Sequence, residues 1–328
     1  MLKNNSRLIR AFTIIFLIVL AVVAIVSIGM FLLQAPDHSN QQLARFVVNK
    51  GESVTSIGAK LQEQGLIKNK LAFRLYYKVY QDQYQIQAGS FELSPAMDVK
   101  TILQTLGEGT DDLWVTLPEG LRREEMAASL AAYPLLYFDE AEFLTQTIAL
   151  EGQLFPDTYL VPKEITTQAL VKLMNNTFEK RIAPFEKEFD QSQYSFIEIL
   201  TMASLIEREG RTLEEMKAIS GILWKRLELG MALQVDATLQ YAKGYDEVTG
   251  GWWTTPLAQD KTIDSRYNTY LNPGLPPNPI CNPGLNAIEA AVRPTVTDNL
   301  FYLHDNQGQI HFAQNLDQHN QNVNKYLR

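Results

Sequence analysis

The sequence predicts an α+β protein made of one N-terminal membrane helix, a small α+β domain and a larger α+β domain. Three observations carry this. Residues 11–33, AFTIIFLIVLAVVAIVSIGMFLL, hold no charge. Residues 44–108 alternate short β-prone runs with helical patterns, and residues 109–328 hold several long segments with apolar residues at helical spacing. With 328 residues, 46% apolar and 20% charged, the chain can bury two or three cores and is not a disordered polymer.

The uncharged run spans about 34 Å as a helix, enough for a hydrocarbon core of about 30 Å. It exceeds the roughly 7–15 apolar residues of a secretory signal, and Pro36 sits where cleavage would be needed. A buried core helix is rarely apolar all round for six turns. Lys3, Arg7 and Arg10 precede the run and no acid accompanies them, which predicts a cytoplasmic stub over 1–10, a membrane helix over 11–33 and export of the rest. The net charge of −8 therefore hides a division: beyond the run stand 26 basic and 37 acidic residues, or −11. So acidic a body excludes nucleic acid as the main partner. The single cysteine, Cys281, excludes a disulfide framework, a CxxC pair and a cysteine zinc site, and reads as a small core residue. His304 and His311 could neighbour each other in a hairpin, but two histidines do not make a metal site, so neither metal nor cofactor is expected.

Residues 34–43 read as a linker. Ala44–Val48 reads as a strand, Ser53 as the N-cap of a helix carrying Val54, Ile57 and Leu61, Lys70–Tyr80 as a second helix and Gly89–Leu93 as a returning strand. That order, with the run from Val48 to Ile57 (VNKGESVTSI), resembles the LysM domain, a peptidoglycan-binding module; an ordinary α+β spacer over 44–108 is the alternative. From residue 109 the sequence predicts a strand at Trp114–Leu117, a turn at Pro118-Glu119-Gly120, and helices over Glu124–Ala132, Glu140–Ala149, Gln168–Phe185, Phe196–Glu209 and Leu213–Leu229, the last closed by Gly230. From Leu233 the chain reads as turn-rich, ending in a hairpin of Asn299–Leu303 and Gln309–Ala313.

No G-x-S-x-G, P-loop, G-x-G-x-x-G or H-E-x-x-H occurs. Chemistry is best sought on the helix Phe196–Glu209. Phe196, Leu200, Ala203, Ser204 and Glu207 share one stripe, with Glu198 and Glu209 opposite. Glu207 thus ends an apolar stripe of a mainly buried helix, where desolvation favours a protonated carboxyl, as a general acid requires. A solvated or ion-paired glutamate near a helix C-terminus fits the same pattern.

The run from Leu200 to Glu209 (LTMASLIERE) resembles the central motif of the YceG-like endolytic murein transglycosylases. Further matching segments follow in order: Glu151-Gly152 with Phe155–Tyr159, Met231–Thr238, Tyr267–Tyr270 with Gly274–Pro277 and Ile280, and Ala290–Pro294 with Tyr302, Leu303 and Phe312. Val235, Ala237 and Gly210 depart from the usual pattern at motif flanks. The resemblance implies a catalytic domain over 109–328 that cuts the β-1,4 bond between N-acetylmuramic acid and N-acetylglucosamine inside nascent peptidoglycan strands. It leaves a 1,6-anhydro end, on the outer side of a bacterial inner membrane and in company with a peptidoglycan synthase complex. Glu207 would be the catalytic acid, then base. Gln234, Asp236, Tyr267 and Asn268, then Glu151, Asp157 and Ser204, are the candidates for binding sugar; Asp236 and Asp157 could equally cap helices or turns, and Tyr267 could be core. Two other readings stay open: a peptidoglycan-binding or division scaffold without catalysis, and a hydrolase pairing Glu207 with Asp236 or Asp157.

Overall fold

The structure, a computed structural model, describes residues 2–110 and 112–328, with side chains from residue 14 onward. The side chains of Lys3, Arg7 and Arg10 and of residues 11–13 lie outside those described. Contacts gather the chain into two compact units, 1–114 with 160–162 and 115–159 with 163–328.

The first unit begins with α1 (Leu2–Leu33). Its stretch Ile14–Leu33 has a mean hydropathy of 3.2 and contains no fully buried residue; among the described residues it is the one helix long and apolar enough to cross a membrane. The following segment is not slack at its start: Ala35 is buried, and the Asp37 N–H donates to the Pro95 carbonyl at 3.1 Å. β1 (Ala44–Val48) pairs antiparallel with β2 (Gly89–Leu93), Phe46 opposite Phe91. Between them lie α2 (Val54–Glu63), whose N-cap is Ser53, and α3 (Lys70–Tyr80), capped by Asn69. A helix not read from the sequence, α4 (Val99–Glu108), starts at the Asp98 cap. It supplies Val99, Ile102, Leu103 and Leu106 to a core with Phe46, Ile57, Leu61, Phe73 and Leu93. Without that helix one side of the β1–β2 pair would lack its apolar cover.

β3 (Asp112–Thr116) pairs with β4 (Thr158–Pro162). The second unit continues through α5 (Arg123–Ala131), α6 (Glu140–Gln146), α7 (Thr167–Ile182) and α8 (Glu186–Gln191). Helix α6 stops three residues before the expected Ala149, where the Thr147 hydroxyl caps back onto the Phe143 carbonyl at 2.7 Å. The centre is α9 (Phe196–Glu209), entered through a reciprocal Ser195–Glu198 capping box. Every residue from Ile199 to Ile206 is buried. It packs on α10 (Leu213–Glu228) and α12 (Leu285–Val292). A methyl at Gly221 of α10 would lie 1.9 Å from the Thr295 carbonyl oxygen, so glycine is what allows this close approach.

Two of the helices inside the stretch expected to be turns are α11 (Asp236–Lys243) and α12, each too short to show clear periodicity. β5 (Phe301–His304) and β6 (Ile310–Ala313) form the expected hairpin, but the chain ends in a further helix, α13 (Leu316–Tyr326). In the hairpin His311 faces Leu303, not His304, and its ring nitrogen meets Asp305 at 2.8 Å.

Candidate active site

Helix α9 delivers Glu207 from its last turn to the start of α12. There Glu207 Oε2 accepts the Gly284 N–H at 2.9 Å. Burial is the main force on this carboxyl and raises it to about 7; the charge of Glu119 adds to the rise, while the Gly284 N–H and the Arg208 guanidinium oppose it. Glu207 is therefore a carboxyl poised to give and retake a proton near neutrality.

Glu119, which the sequence reading treated only as part of a turn, belongs to this centre. A Cβ added to Gly284 would lie 2.1 Å from Glu119 Oε1, so the Glu119 carboxylate packs directly on the residue whose N–H holds Glu207. The neighbouring Gly120, with φ of 77°, brings the turn equally close on the other side: a Cβ there would meet Arg208 Nη1 at 3.2 Å and Glu207 Cγ at 3.6 Å. Pro-Glu-Gly at 118–120 was the available signal, but only tertiary folding shows what the turn leans on.

Beneath these residues Asn282, fully buried, fastens three segments. Its side-chain amide donates to the Leu121 carbonyl at 3.1 Å and to Glu151 Oε1 at 2.9 Å, and its Oδ1 accepts the Leu154 N–H at 2.9 Å. Glu151 also accepts the Arg123 N–H at 3.1 Å. Burial, then the charge of Glu124, raises Glu151 to about 8. A neutral Glu151 can keep Oε1 as the acceptor for both donors. The sign of the linkage follows: the folded state holds a proton that the unfolded chain releases near the ordinary 4.5, so stability is lost as pH rises from about 4.5 to about 8. Glu151→Gln, which preserves that acceptor without an ionising group, is expected to weaken this loss. Thermal unfolding of both proteins between pH 5 and pH 8.5 tests it; parallel profiles would refute the assignment.

To one side lies a shelf of half-buried aromatic rings, with the guanidinium groups of Arg208 and the buried Arg122. Arg208 lies over the Trp253 ring at 4.0 Å, and Trp253 Nε1 donates to Glu125 at 2.7 Å. Arg122 lies 4.2 Å from the Tyr241 ring and 4.3 Å from that of Trp252. Tyr267 packs against Tyr241 with ring centroids 4.6 Å apart. None of Trp252, Trp253, Arg122 or Asn282 was singled out by sequence; they sit on turns and caps whose meeting point no local pattern encodes.

The other expected site residues disperse. Ser204 is fully buried; its hydroxyl donates to the Thr201 carbonyl and accepts the Ile280 N–H at 3.0 Å, fixing the loop that leads to Gly284. Cys281, also sealed, sits beside it with Sγ 3.3 Å from the Ser204 carbonyl oxygen, and burial pushes its thiol well up. Asn268 is buried and staples its own loop to the Lys261 and Ile263 carbonyls. Asp157 pairs with Arg181 at 2.8 Å. Gln234, exposed with a left-handed φ of 52°, accepts from Arg226 at 3.1 Å, and Asp236 accepts from the Tyr270 hydroxyl at 2.6 Å. These last two line a separate cavity of about 640 Å³ with Glu209.

Glu209, placed opposite the apolar stripe, is nevertheless engaged. Its carboxylate accepts from the Tyr302 hydroxyl at 3.0 Å, and burial raises it to about 7. Glu198, by contrast, is the capping-box residue on the helix's first turn. No group of three or more His, Cys, Asp or Glu suited to a metal ion occurs among the described residues.

The profile of the YceG-like family matches residues 46–325. A protein of Bacillus subtilis named endolytic murein transglycosylase is 30% identical over 91% of this chain and 89% of its own length. One of the same name from Streptococcus pneumoniae is 29% identical over 97% of this chain; the chain spans 66% of that longer relative. A crystal structure of a YceG-like protein from Listeria monocytogenes superposes with a TM-score of 0.57 at 29% identity, covering 85% of this chain and 99% of that one. The chain belongs to the YceG-like family.

Proposed function

We propose that this protein is a membrane-anchored endolytic lytic transglycosylase of peptidoglycan, with Glu207 as its single acid–base. The observation that carries the reading is the half-buried Glu207 carboxyl, raised to about 7, held on the Gly284 N–H beside an aromatic shelf. The names of the relatives from Bacillus and Streptococcus support it.

In the first step Glu207 gives its proton to the glycosidic oxygen as the bond to C1 of the muramyl residue breaks. The ionised carboxyl then takes the proton of the C6 hydroxyl while O6 bonds to C1, closing the 1,6-anhydro ring and restoring the acid. Internal attack has a high effective molarity, so no water needs activation. The anionic Glu119 would stabilise the oxocarbenium-like charge between the two steps. Trp252, Trp253, Tyr241 and Tyr267 offer ring faces for pyranose rings, and Ser204, Asn268 and Asn282 hold the loops in place. Gln234, Asp236, Glu151 and Asp157 join no contact with Glu207 and enter this reading as supporting residues. Helix α1 would cross the membrane with residues 1–10 inside and the domains 44–108 and 109–328 outside. Glycan strands are then the substrate and a synthase complex making them the partner class.

Glu119 also gives the hydrolase reading a better second carboxylate than Asp236 or Asp157, since hydrolysis needs one group to protonate the leaving oxygen and another to serve as base or nucleophile. Product chemistry separates the two. Full-length protein in detergent, given isolated glycan strands in heavy-oxygen water, is expected to yield 1,6-anhydro ends carrying no solvent oxygen by mass spectrometry. Labelled reducing ends would replace this mechanism with hydrolysis, and intact strands would leave a binding protein.

A further inference from the structure

Helix α3 carries an apolar stripe that is left largely exposed among the described residues. Leu71, Leu75 and Val79, one helical turn apart, are 62%, 67% and 66% exposed, while Phe73 on the opposite face is buried in the core. The stripe faces Ile25, Ile28 and Leu32 of α1 across an open groove of about 940 Å³. The helices are fixed to one another at the end of α1. Lys68 Nζ lies 3.9 Å from the Phe31 ring and donates to the Phe31 carbonyl at 3.3 Å, and Leu33 packs against the core to which α3 contributes Phe73.

Depth decides what fills the groove. The uncharged run 11–33 is about 34 Å long as a helix, only a little more than a hydrocarbon thickness of about 30 Å. A span of that length leaves almost no apolar helix above the membrane, so whatever flanks residues 28–33 lies at or just inside its outer boundary. Helix α3 is built for that position. Its stripe is apolar, its Tyr76 and Tyr80 rings, tilted with centroids 4.6 Å apart, are of the amphipathic kind enriched at membrane interfaces, and Lys68, Lys70, Arg74 and Lys78 surround it with positive charge. Asp98, which also borders the groove, is engaged as the cap of α4 and is flanked by Lys100.

We propose that α3 lies in the outer membrane–water boundary, its Leu71–Leu75–Val79 stripe and the groove beside α1 filled by the acyl chains and headgroups of anionic phospholipid. The first unit would then touch the membrane through two elements, the spanning helix and an interfacial one. This rests on the anchor reading of α1, and the test separates the two. Full-length protein is reconstituted in vesicles of phosphatidylcholine and phosphatidylglycerol, with nitroxide labels in turn at Leu75→Cys, Val79→Cys, Val22→Cys and Glu63→Cys. Collision with oxygen, which concentrates in lipid, is compared with collision with a nickel chelate confined to water. The expected result is an oxygen preference at 75 and 79 that is clear but smaller than the one at 22, and nickel preference at 63. Nickel preference at 75 and 79 with oxygen preference at 22 overturns the α3 proposal alone. Shielding of 75 and 79 from both reagents also overturns it, in favour of protein cover by a second copy or another chain. Nickel preference at 22 removes the anchor and the proposal together.

Discussion

Glu207→Gln is expected to lower strand cleavage by about 10²–10⁴-fold, the usual contribution of a positioned acid–base, with its unfolding temperature close to that of the parent. Glutamine can still accept the Gly284 N–H, so the fold keeps its contact while both proton transfers are lost. The pH profile of the parent carries the same signature. The working form is the protonated one, so kcat/KM should be level below about 7 and fall as pH rises beyond it. Glu119→Gln removes a negative neighbour that holds the proton on Glu207, and should therefore move this alkaline limb to lower pH. Anhydro ends should persist in that variant. A Glu207→Gln protein that cuts at the parental rate would remove Glu207 from the chemistry altogether.

The second large effect is on stability. Asn282→Ala would leave the Leu154 N–H without its partner and remove one donor each from the Leu121 carbonyl, which keeps the residue 282 N–H at 2.8 Å, and from Glu151. At about 1–3 kcal/mol for the stranded N–H and about 1 kcal/mol for each of the other two bonds lost, the loss should reach about 3–5 kcal/mol. In a domain of this size that is a fall of about 10 °C in Tm, measurable by calorimetry. Activity should fall as well, because Asn282 precedes Gly284 by two residues and its carbonyl accepts the Gly120 N–H at 3.0 Å. An unchanged Tm would show that water or local relaxation replaces the lost partners. Asn282→Asp is a sharper variant: it removes the donors and sets a second carboxyl beside Glu151.

Much of the fold was legible because it follows from local rules. The apolar run of α1, the Ser53 cap and the stripe of α9 each state their structure within a few turns. Glu207 could be singled out for the same reason: it ends a stripe whose burial the sequence already shows. Other features depend on partners far away in the chain. Glu119 matters because a turn at 118–120 is pressed against a loop at 282–284. Glu209 points away from the apolar stripe, yet Tyr302, contributed by a hairpin 93 residues later, meets it there. Ser204 and Asn268 had side chains of the right kind for sugar, but complete burial commits their hydrogen bonds to carbonyls and N–H groups of the chain itself. Helices α11 and α12 have only eight residues each and lie amid Pro and Gly, so turn chemistry outweighed their weak periodicity.

The sealed thiol of Cys281 supplies a natural clock for the site. A thiol-trapping reagent in excess can modify it only during excursions in which the 279–284 segment lifts away from α9. The trapping rate of the unaltered protein therefore counts how often the seat of Glu207 comes apart. Bound glycan should slow that rate if it bridges the segment and α9, and no tag or engineered label is needed to see it.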